Sequence, residues 1–549
     1  MSNLDYFEVT TLGDLVVRGA SRYGDADAIV FPDSRRTYDE LLAGSIRAAR
    51  SLRALGVGPG DHVGVLMANC VEYAEVLFGT AMLGGVAVLL NARYRGAELR
   101  YVVENADLKV VVTSDIVAEH VDHVDRLRDA FPALRESRDP RHLGLADAPE
   151  LESIVFLGPP TSNLVDRAEF EAGAETVDED EIHRLRNQVA IRDLGMMMYT
   201  SGTTAHPKGC LMTHEMVVRN GMNAGRNRFE IQPTDRFWDP LPMFHMSAIL
   251  PLMGCLDAGA SWLGMTHFEP GAALTMMREE GASLAFPTFP PITQALLNHP
   301  DWASTSAELD IRMLCNISAP DTLRKLQEQW APAIQITAYG CTEIGGVACF
   351  NEAADTLEQR VTTSGRPFPG IQLRVVDPSN RPVPTGERGE IVARGYSVFE
   401  GYYKDPERTA EVIDEEGWFH TGDIGSMDAD GRVSYLGRLK DMLKVGGENV
   451  AAAEIEALVE GHPAVAIAQV VSFPDDRLME VPAAFVQLKP GATVTESELI
   501  EFCQGKVASF KIPRFVRIVD EWPMSATKIQ KFKLRHQLAE ELGVTLEEG

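Results

Sequence analysis

Between residues 61 and 113 the chain alternates short apolar runs with stretches whose apolar side chains recur at helical spacing. Residues 61–67, 84–90 and 108–113 read as strands, and 72–83 and 97–105 as helices. Strands that are apolar throughout and separated by helices pair in parallel and need cover on both faces. This alternation therefore restricts the chain to a layered α/β architecture. Ahead of it, residues 1–60 show amphipathic helical spacing, with Leu41, Leu42, Ile46 and Ala49 at three- and four-residue steps. Residues 134–185 break the rhythm; rich in Pro, Asp, Glu and Arg, they predict a solvated loop or insertion. The alternation returns over 214–345. Residues 360–437 carry short β-type runs (371–377, 389–394, 433–436) among frequent Gly and Pro, which predicts antiparallel strands in a smaller β subdomain. Residues 442–549 read as a compact α+β unit. It has a helix near 453–459, strands at 464–472 and 483–489, a helix from Ser497 and a last helix over 532–542.

A chain of 549 residues has room for several domains. Its net charge of −29 leaves no basic excess to neutralise phosphates, which argues against a nucleic-acid or anionic-membrane partner. An anionic ligand must instead be held by locally placed cations and N–H groups. The seven cysteines form no C-x-x-C pair and no cluster with histidine, so neither a disulfide framework nor a zinc site is expected, and a reducing, cytoplasmic setting fits. The first residues carry no basic segment followed by an apolar run, so no signal peptide is expected. The longest apolar stretch, 246–265, contains Pro251, Gly254, Asp257, Gly259 and Gly264, which predicts a core helix followed by a strand rather than a membrane span.

The apolar run 194–199, read as a buried strand, leads into a small, hydroxylic loop. Thr200, Ser201, Gly202, Thr203 and Thr204 are followed by Ala205, His206, Pro207 and Lys208. Glycine lets backbone approach a ligand, hydroxyls and successive N–H groups can wrap an anion, and Lys208 adds a point charge. The composition is that of a phosphate cradle. It is not a Walker A loop, which needs Gly-Lys-Ser/Thr opening a helix, whereas Lys208 follows Pro207. A Ser/Thr/Gly-rich surface turn has the same composition, and the loop alone does not separate the two.

Further segments follow in order: 242–245, ending in Phe244 and His245; 339–343, with Tyr339, Thr342 and Glu343; 417–423, ending in Asp423; 437–441, with Arg438 and Lys440; and 523–533, with Lys528. Together with 200–209 they resemble, over nearly the whole chain, the adenylate-forming superfamily. Within it they are similar to the acyl-CoA synthetases, in the style of carnitine-, bile-acid- and medium-chain-type ligases. The fold expected is α/β. A large N-terminal domain, 1–437, has two layered α/β subdomains plus a small β subdomain and holds ATP and the acyl substrate. A small, mobile α+β C-terminal domain, 438–549, follows a hinge at Lys440. The resemblance implies a two-step reaction. A carboxylate attacks the α-phosphorus of ATP to give acyl-AMP and pyrophosphate, and coenzyme A then takes the acyl group. ATP, Mg²⁺, CoA and a small-molecule carboxylic acid are the expected ligands, and a homodimer is left open.

The resemblance also distributes roles. Thr200–Thr204 and Lys208 would hold the β- and γ-phosphates, although Ala205 stands where the family commonly has Gly. Glu343 would ligate Mg²⁺ and Thr342 would touch the α-phosphate. Tyr339 would stack on adenine beside a ledge of Ser318, Ala319 and Pro320. Asp423 would accept from the ribose hydroxyls with Arg438 as its cationic companion, and His245 would stand at the carboxylate site. Gly446 and Gly447 would line the pantetheine tunnel. Lys528 would be the catalytic lysine. Its motif lacks the usual Gly and is one residue short from Pro523, so Lys531 and Lys533 remain alternatives. Each residue also has an ordinary structural reading: a core aromatic for Tyr339, a satisfied core histidine for His245, a turn acid for Asp423, a tight turn for the Gly pair. The acyl pocket is expected among 244–250, 286–292, 318–320 and 337–347. Apolar residues and glycines dominate there, suggesting a medium-sized, mostly apolar acid. Two other readings compete. A carrier-loading adenylation domain would normally carry an acid near His245, and none stands in 243–250. A catalytically silent nucleotide-binding protein would not need every motif.

Overall fold

A computed structural model describes residues 9–200, 207–439, 442–445, 448–475, 477–524, 529–544 and 546. The apolar run 194–199 is a strand, Leu194–Thr200, near the middle of an eight-stranded sheet. From one edge the order is Gly401–Tyr402, Lys208–Thr213, Leu194–Thr200, Val86–Leu89, His62–Leu66, Leu108–Thr113, Ser153–Phe156, Val165–Asp166. The six strands from Leu194–Thr200 to Val165–Asp166 pair in parallel. That is why they are apolar on both faces: all five residues of His62–Leu66 and all four of Val86–Leu89 are buried. Helices Val71–Met82 and Gly96–Asn105 make the crossovers, where the expected alternation places them.

A second, seven-stranded sheet runs Ile334–Ile336, Met313–Asn316, Leu284–Thr288, Arg236–Asp239, Ser261–Gly264, Asp27–Phe31, Ser34–Thr37. Its parallel strands alternate with helices of the 214–345 stretch. The apolar stretch 246–265 is a buried helix, Met246–Ala258, ended by Gly259 in the left-handed conformation at φ 83°, followed by the strand Ser261–Gly264. No described helix is long and apolar enough to cross a membrane.

Two sequence expectations need correction. Residues 134–185 are not simply a solvated insertion: Ser153–Phe156 and Val165–Asp166 extend the eight-stranded sheet, and Arg167–Ala174 and Glu179–Arg186 are helices. Their charges lie on outer faces, while Ile154, Val155, Phe170 and Ile182 point inward and are buried. Charge density hid an apolar face spread one residue per turn. Residues 1–60 likewise contain more than helix. The hairpin Asp27–Phe31 and Ser34–Thr37 precedes the amphipathic helix Tyr38–Ala54, and its first strand joins Ser261–Gly264 in parallel.

Close packing divides the chain into two units, residues 1–372 with 393–419, and residues 373–392 with 420–549. The first contains both large sheets and a small antiparallel sheet of Ala338–Tyr339, Cys349–Phe350 and Arg366–Pro367. The second carries most of a four-stranded sheet, in the order Ile371–Val376, Gly389–Gly395, Phe419–Met427, Val433–Arg438, and a C-terminal α+β sheet. There Met479–Leu488 lies between Val465–Asp475, antiparallel, and Phe515–Ile518, parallel, with helix Ala452–Glu460 against Val465–Asp475. The chain is thus a mixed α/β protein with a large N-terminal part and a small C-terminal one.

Candidate active site

Thr200 and Lys208 face each other at the end of the antiparallel pair that carries the hydroxylic loop. Ser201, Gly202, Thr203 and Thr204 lie outside the described residues. Thr200 Oγ1 is 3.8 Å from Cys210 Sγ. Lys208 is half-buried, and burial lowers the proton affinity of its ammonium, with Arg408 acting in the same direction. Its Nζ stands over the ring of Tyr402, 5.0 Å from the centroid. Tyr402 reaches this place because Gly401–Tyr402 adds a short antiparallel strand to the outer edge of Lys208–Thr213, with Tyr402 opposite Cys210.

The Tyr402 hydroxyl donates to Glu343 Oε1 at 3.0 Å. The structure thus brings Lys208 and Glu343 to one tyrosine, the ammonium over its ring and the carboxylate at its hydroxyl. Tyr402 was absent from the sequence-derived candidates. No local pattern marks it, because its partner lies 59 residues away.

Glu343 and Thr342 share a single 3₁₀ turn, Thr342–Ile344, closed by Gly345 at φ 73° and Gly346 at φ 84°. The conformation needs glycine at both positions. At Gly346 a Cβ would also stand 2.5 Å from Met246 Cβ. That approach sets the turn against the start of helix Met246–Ala258, whose N-cap is His245. The His245 ring lies 4.8 Å from that of the buried Phe244. Asn220 grips the turn from behind: its Nδ2 donates to Gly345 O at 2.7 Å and Val347 O at 2.8 Å. Its Oδ1 accepts from Tyr396, over whose ring Arg219 stacks at 4.1 Å. Spacing alone did not reveal this buried support either.

Tyr339 is buried in the strand Ala338–Tyr339. Ser318, Ala319 and Pro320 connect strand Met313–Asn316 to helix Pro320–Gln329, with Pro320 at the first helical turn. Met313–Asn316 and Ile334–Ile336 are parallel neighbours. The ledge 318–320 and Tyr339 therefore emerge from the same, carboxyl edge of the sheet, where open α/β sheets bind ligands. Thr288 ends the next strand at φ 55°, a left-handed conformation rare for a β-branched residue and often met at ligand sites.

In the second unit, Asp423 and Arg438 are opposite each other on Phe419–Met427 and Val433–Arg438. Arg438 Nε lies 3.4 Å from Asp423 Oδ1, and Asp423 is 4% exposed. The turn before Asp423 is braced by Glu390, which accepts from Gly422 N at 2.9 Å and pairs with His420 Nδ1 at 2.9 Å. Lys531 Nζ pairs with Glu456 Oε1 at 2.6 Å, and Lys533 stands 6.0 Å from the centre of the Phe532 ring. Lys528, Lys440, Gly446 and Gly447 lie outside the described residues. Among the described residues no three His, Cys, Asp or Glu side chains group as a metal cluster.

The sequence matches the family described as AMP-binding enzyme over residues 16–403, and the AMP-binding enzyme C-terminal domain over 454–528. The chain belongs to the AMP-binding enzyme family. Among its relatives, the protein named "Putative acyl-CoA synthetase YngI" from Bacillus subtilis (strain 168) is 35% identical, covering 97% of both chains. The mitochondrial medium-chain acyl-CoA ligase ACSF2 of Rattus norvegicus is 31% identical, covering 97% of this chain and 88% of its own. Among solved structures, ATP-bound MatB from Rhodopseudomonas palustris superposes with a TM-score of 0.81 at 27% identity, covering 97% of this chain and all of its own. The fold, the family and these relatives assign the chain to the AMP-forming acid–CoA ligases.

Proposed function

We propose that this chain activates a medium-sized, mostly apolar carboxylic acid with ATP, forming acyl-AMP and pyrophosphate, and then transfers the acyl group to coenzyme A. The observation that carries the reading is the pair of opposite charges, Lys208 and Glu343, that meet on Tyr402 beside the strand ends carrying the hydroxylic loop, one over its ring and one at its hydroxyl. A polyphosphate needs such donors and a cation beside a carboxylate. Thr200 to Thr204 and Lys208 take the β- and γ-phosphates, Thr342 the α-phosphate. Tyr339 and the ledge 318–320 take the adenine, Asp423 with Arg438 the ribose, and His245 the carboxylate of the acid. Glu343 fits a hard cation such as Mg²⁺. One oxygen is anchored by Tyr402, the other has no hydrogen-bond partner among the described residues, and one carboxylate with phosphates and water suffices. Bound there, the cation supplies charge neutralisation for the polyphosphate.

Residues 1–437 form the adenylating domain in this reading. The domain 438–549 turns about Lys440 so that Lys528 serves the first half-reaction and Gly446–Gly447 admits pantetheine in the second. The relatives named acyl-CoA ligases favour CoA over a carrier protein as acceptor, and the name medium-chain ligase supports the substrate size. None of the seven cysteines is in a disulfide and six of them are buried, which suits a reducing compartment such as the cytoplasm.

A panel of straight-chain, branched and aromatic acids with ATP, Mg²⁺ and CoA tests the reading, measured as acid-dependent release of AMP and pyrophosphate. Turnover of medium-length apolar acids is expected. Turnover confined to dicarboxylic or amino acids would overturn the substrate class, and no acid-dependent pyrophosphate would overturn the reaction. Asp423→Ala is expected to raise the KM for ATP by roughly ten- to a hundredfold, the worth of a buried hydrogen bond to a charged group. Unchanged ATP kinetics with a lowered melting temperature would return Asp423 to a structural role.

A further inference from the structure

Lys208 and Glu343 carry opposite charges in a partly buried setting, and Glu343 contributes to the electrostatics at Lys208. Left to themselves, such groups close into an ion pair. Among the described residues they form none within 4.0 Å. Both instead meet Tyr402, its ring under the ammonium at 5.0 Å and its hydroxyl on the carboxylate at 3.0 Å. The ring offers the ammonium a cation–π contact, weaker and less directional than a carboxylate. The hydroxyl occupies only one of the two carboxylate oxygens.

Tyr402 itself is held from several sides. It is 8% exposed, its backbone N donates to Thr409 Oγ1 at 2.9 Å, and Phe399 packs edge-on at 4.8 Å. The same segment grips Glu343 a second time, through Phe399 N donating to Glu343 O at 2.9 Å. Burial, and then the Glu343 charge, raise the Tyr402 hydroxyl far above the ordinary phenol range, so it remains a donor at neutral pH.

We propose that Tyr402 is a positioning residue that keeps Lys208 and Glu343 from pairing, leaving one cation and one carboxylate oxygen available to a metal–polyphosphate. This inference rests on the role proposed for Glu343 and adds to it a residue that touches neither metal nor phosphate.

The test measures ATP binding to the full chain by calorimetry, once with Mg²⁺ and once in EDTA, alongside acid-dependent pyrophosphate release. Tyr402→Phe keeps the spacer and removes the donor. It is expected to reduce the strengthening of ATP binding by Mg²⁺ by about tenfold, the loss associated with a hydrogen bond to a charged group, while binding in EDTA is unchanged. Tyr402→Leu removes the spacer as well and is expected to weaken ATP binding in EDTA too, because Lys208 closes onto Glu343. Combining Tyr402→Leu with Glu343→Gln is then expected to restore binding in EDTA, which a merely structural lesion would not allow. Glu343→Gln alone separates the two levels of the argument. If it abolishes the Mg²⁺ effect while both Tyr402 variants bind like the parent, the positioning role is overturned and Glu343 keeps its assignment. If Glu343→Gln leaves the Mg²⁺ effect intact, the assignment of Glu343 falls and the role of Tyr402 falls with it.

Discussion

Lys528→Ala is expected to slow acid-dependent pyrophosphate release by about 10²–10³-fold, the cost typical of removing one group aimed at developing charge. Conversion of supplied acyl-AMP and CoA to the thioester should remain nearly intact. The contrast follows from the two half-reactions: a cation near the α-phosphate assists only the first. The motif around Lys528 is shortened, so Lys531→Ala and Lys533→Ala serve as register controls. Both neighbours already have local engagements, Lys531 with Glu456 at 2.6 Å and Lys533 over the Phe532 ring. A greater adenylation loss for Lys531→Ala would move the catalytic position to it. Equal damage to both half-reactions by Lys528→Ala would indicate a folding defect instead. Lys440→Pro should show the reverse profile, sparing adenylation and blocking thioester formation, because proline fixes φ at the residue assigned to the hinge.

Glu343→Gln should reduce acid-dependent pyrophosphate release by about 10²-fold or more at saturating Mg²⁺, since the Lewis-acid contribution to phosphoryl chemistry is several kcal/mol. The substitution is informative because it changes little else. The amide oxygen can still accept from the Tyr402 hydroxyl, and the backbone bond from Phe399 N to residue 343 does not depend on the side chain. The melting temperature should therefore stay close to that of the parent. Unchanged release would remove Glu343 from the site.

What the sequence reveals depends on how local each signal is. The strands His62–Leu66 and Leu108–Thr113 are legible because parallel strands buried on both faces are written as unbroken apolar runs. The helix Glu179–Arg186 is not, since Ile182 is its one buried residue among seven polar or apolar neighbours dominated by charge. Thr342, Glu343 and Asp423 stand in short motifs of a few adjacent positions, so they can be picked out as candidates from the sequence. The cross-strand partnership of Asp423 and Arg438 could be suspected only through the family pattern, and the structure places the two in register. Tyr402 and Asn220 act across 59 and 125 residues respectively. Nothing in their own neighbourhoods distinguishes them from core residues.

The two-residue strand that delivers Tyr402 has a consequence for biogenesis. Until residue 402 has been synthesised, the outer edge of Lys208–Thr213 has no neighbour, and its unpaired N–H and C=O groups can template pairing with another nascent chain. The residues that seal that edge are the ones that bring a phenol to Glu343. A stalled or truncated polypeptide ending before Gly401 therefore carries both defects at once, an adhesive flank and an unsupported carboxylate. Quality control by aggregation and quality control by activity would report on the same late event, the docking of one dipeptide.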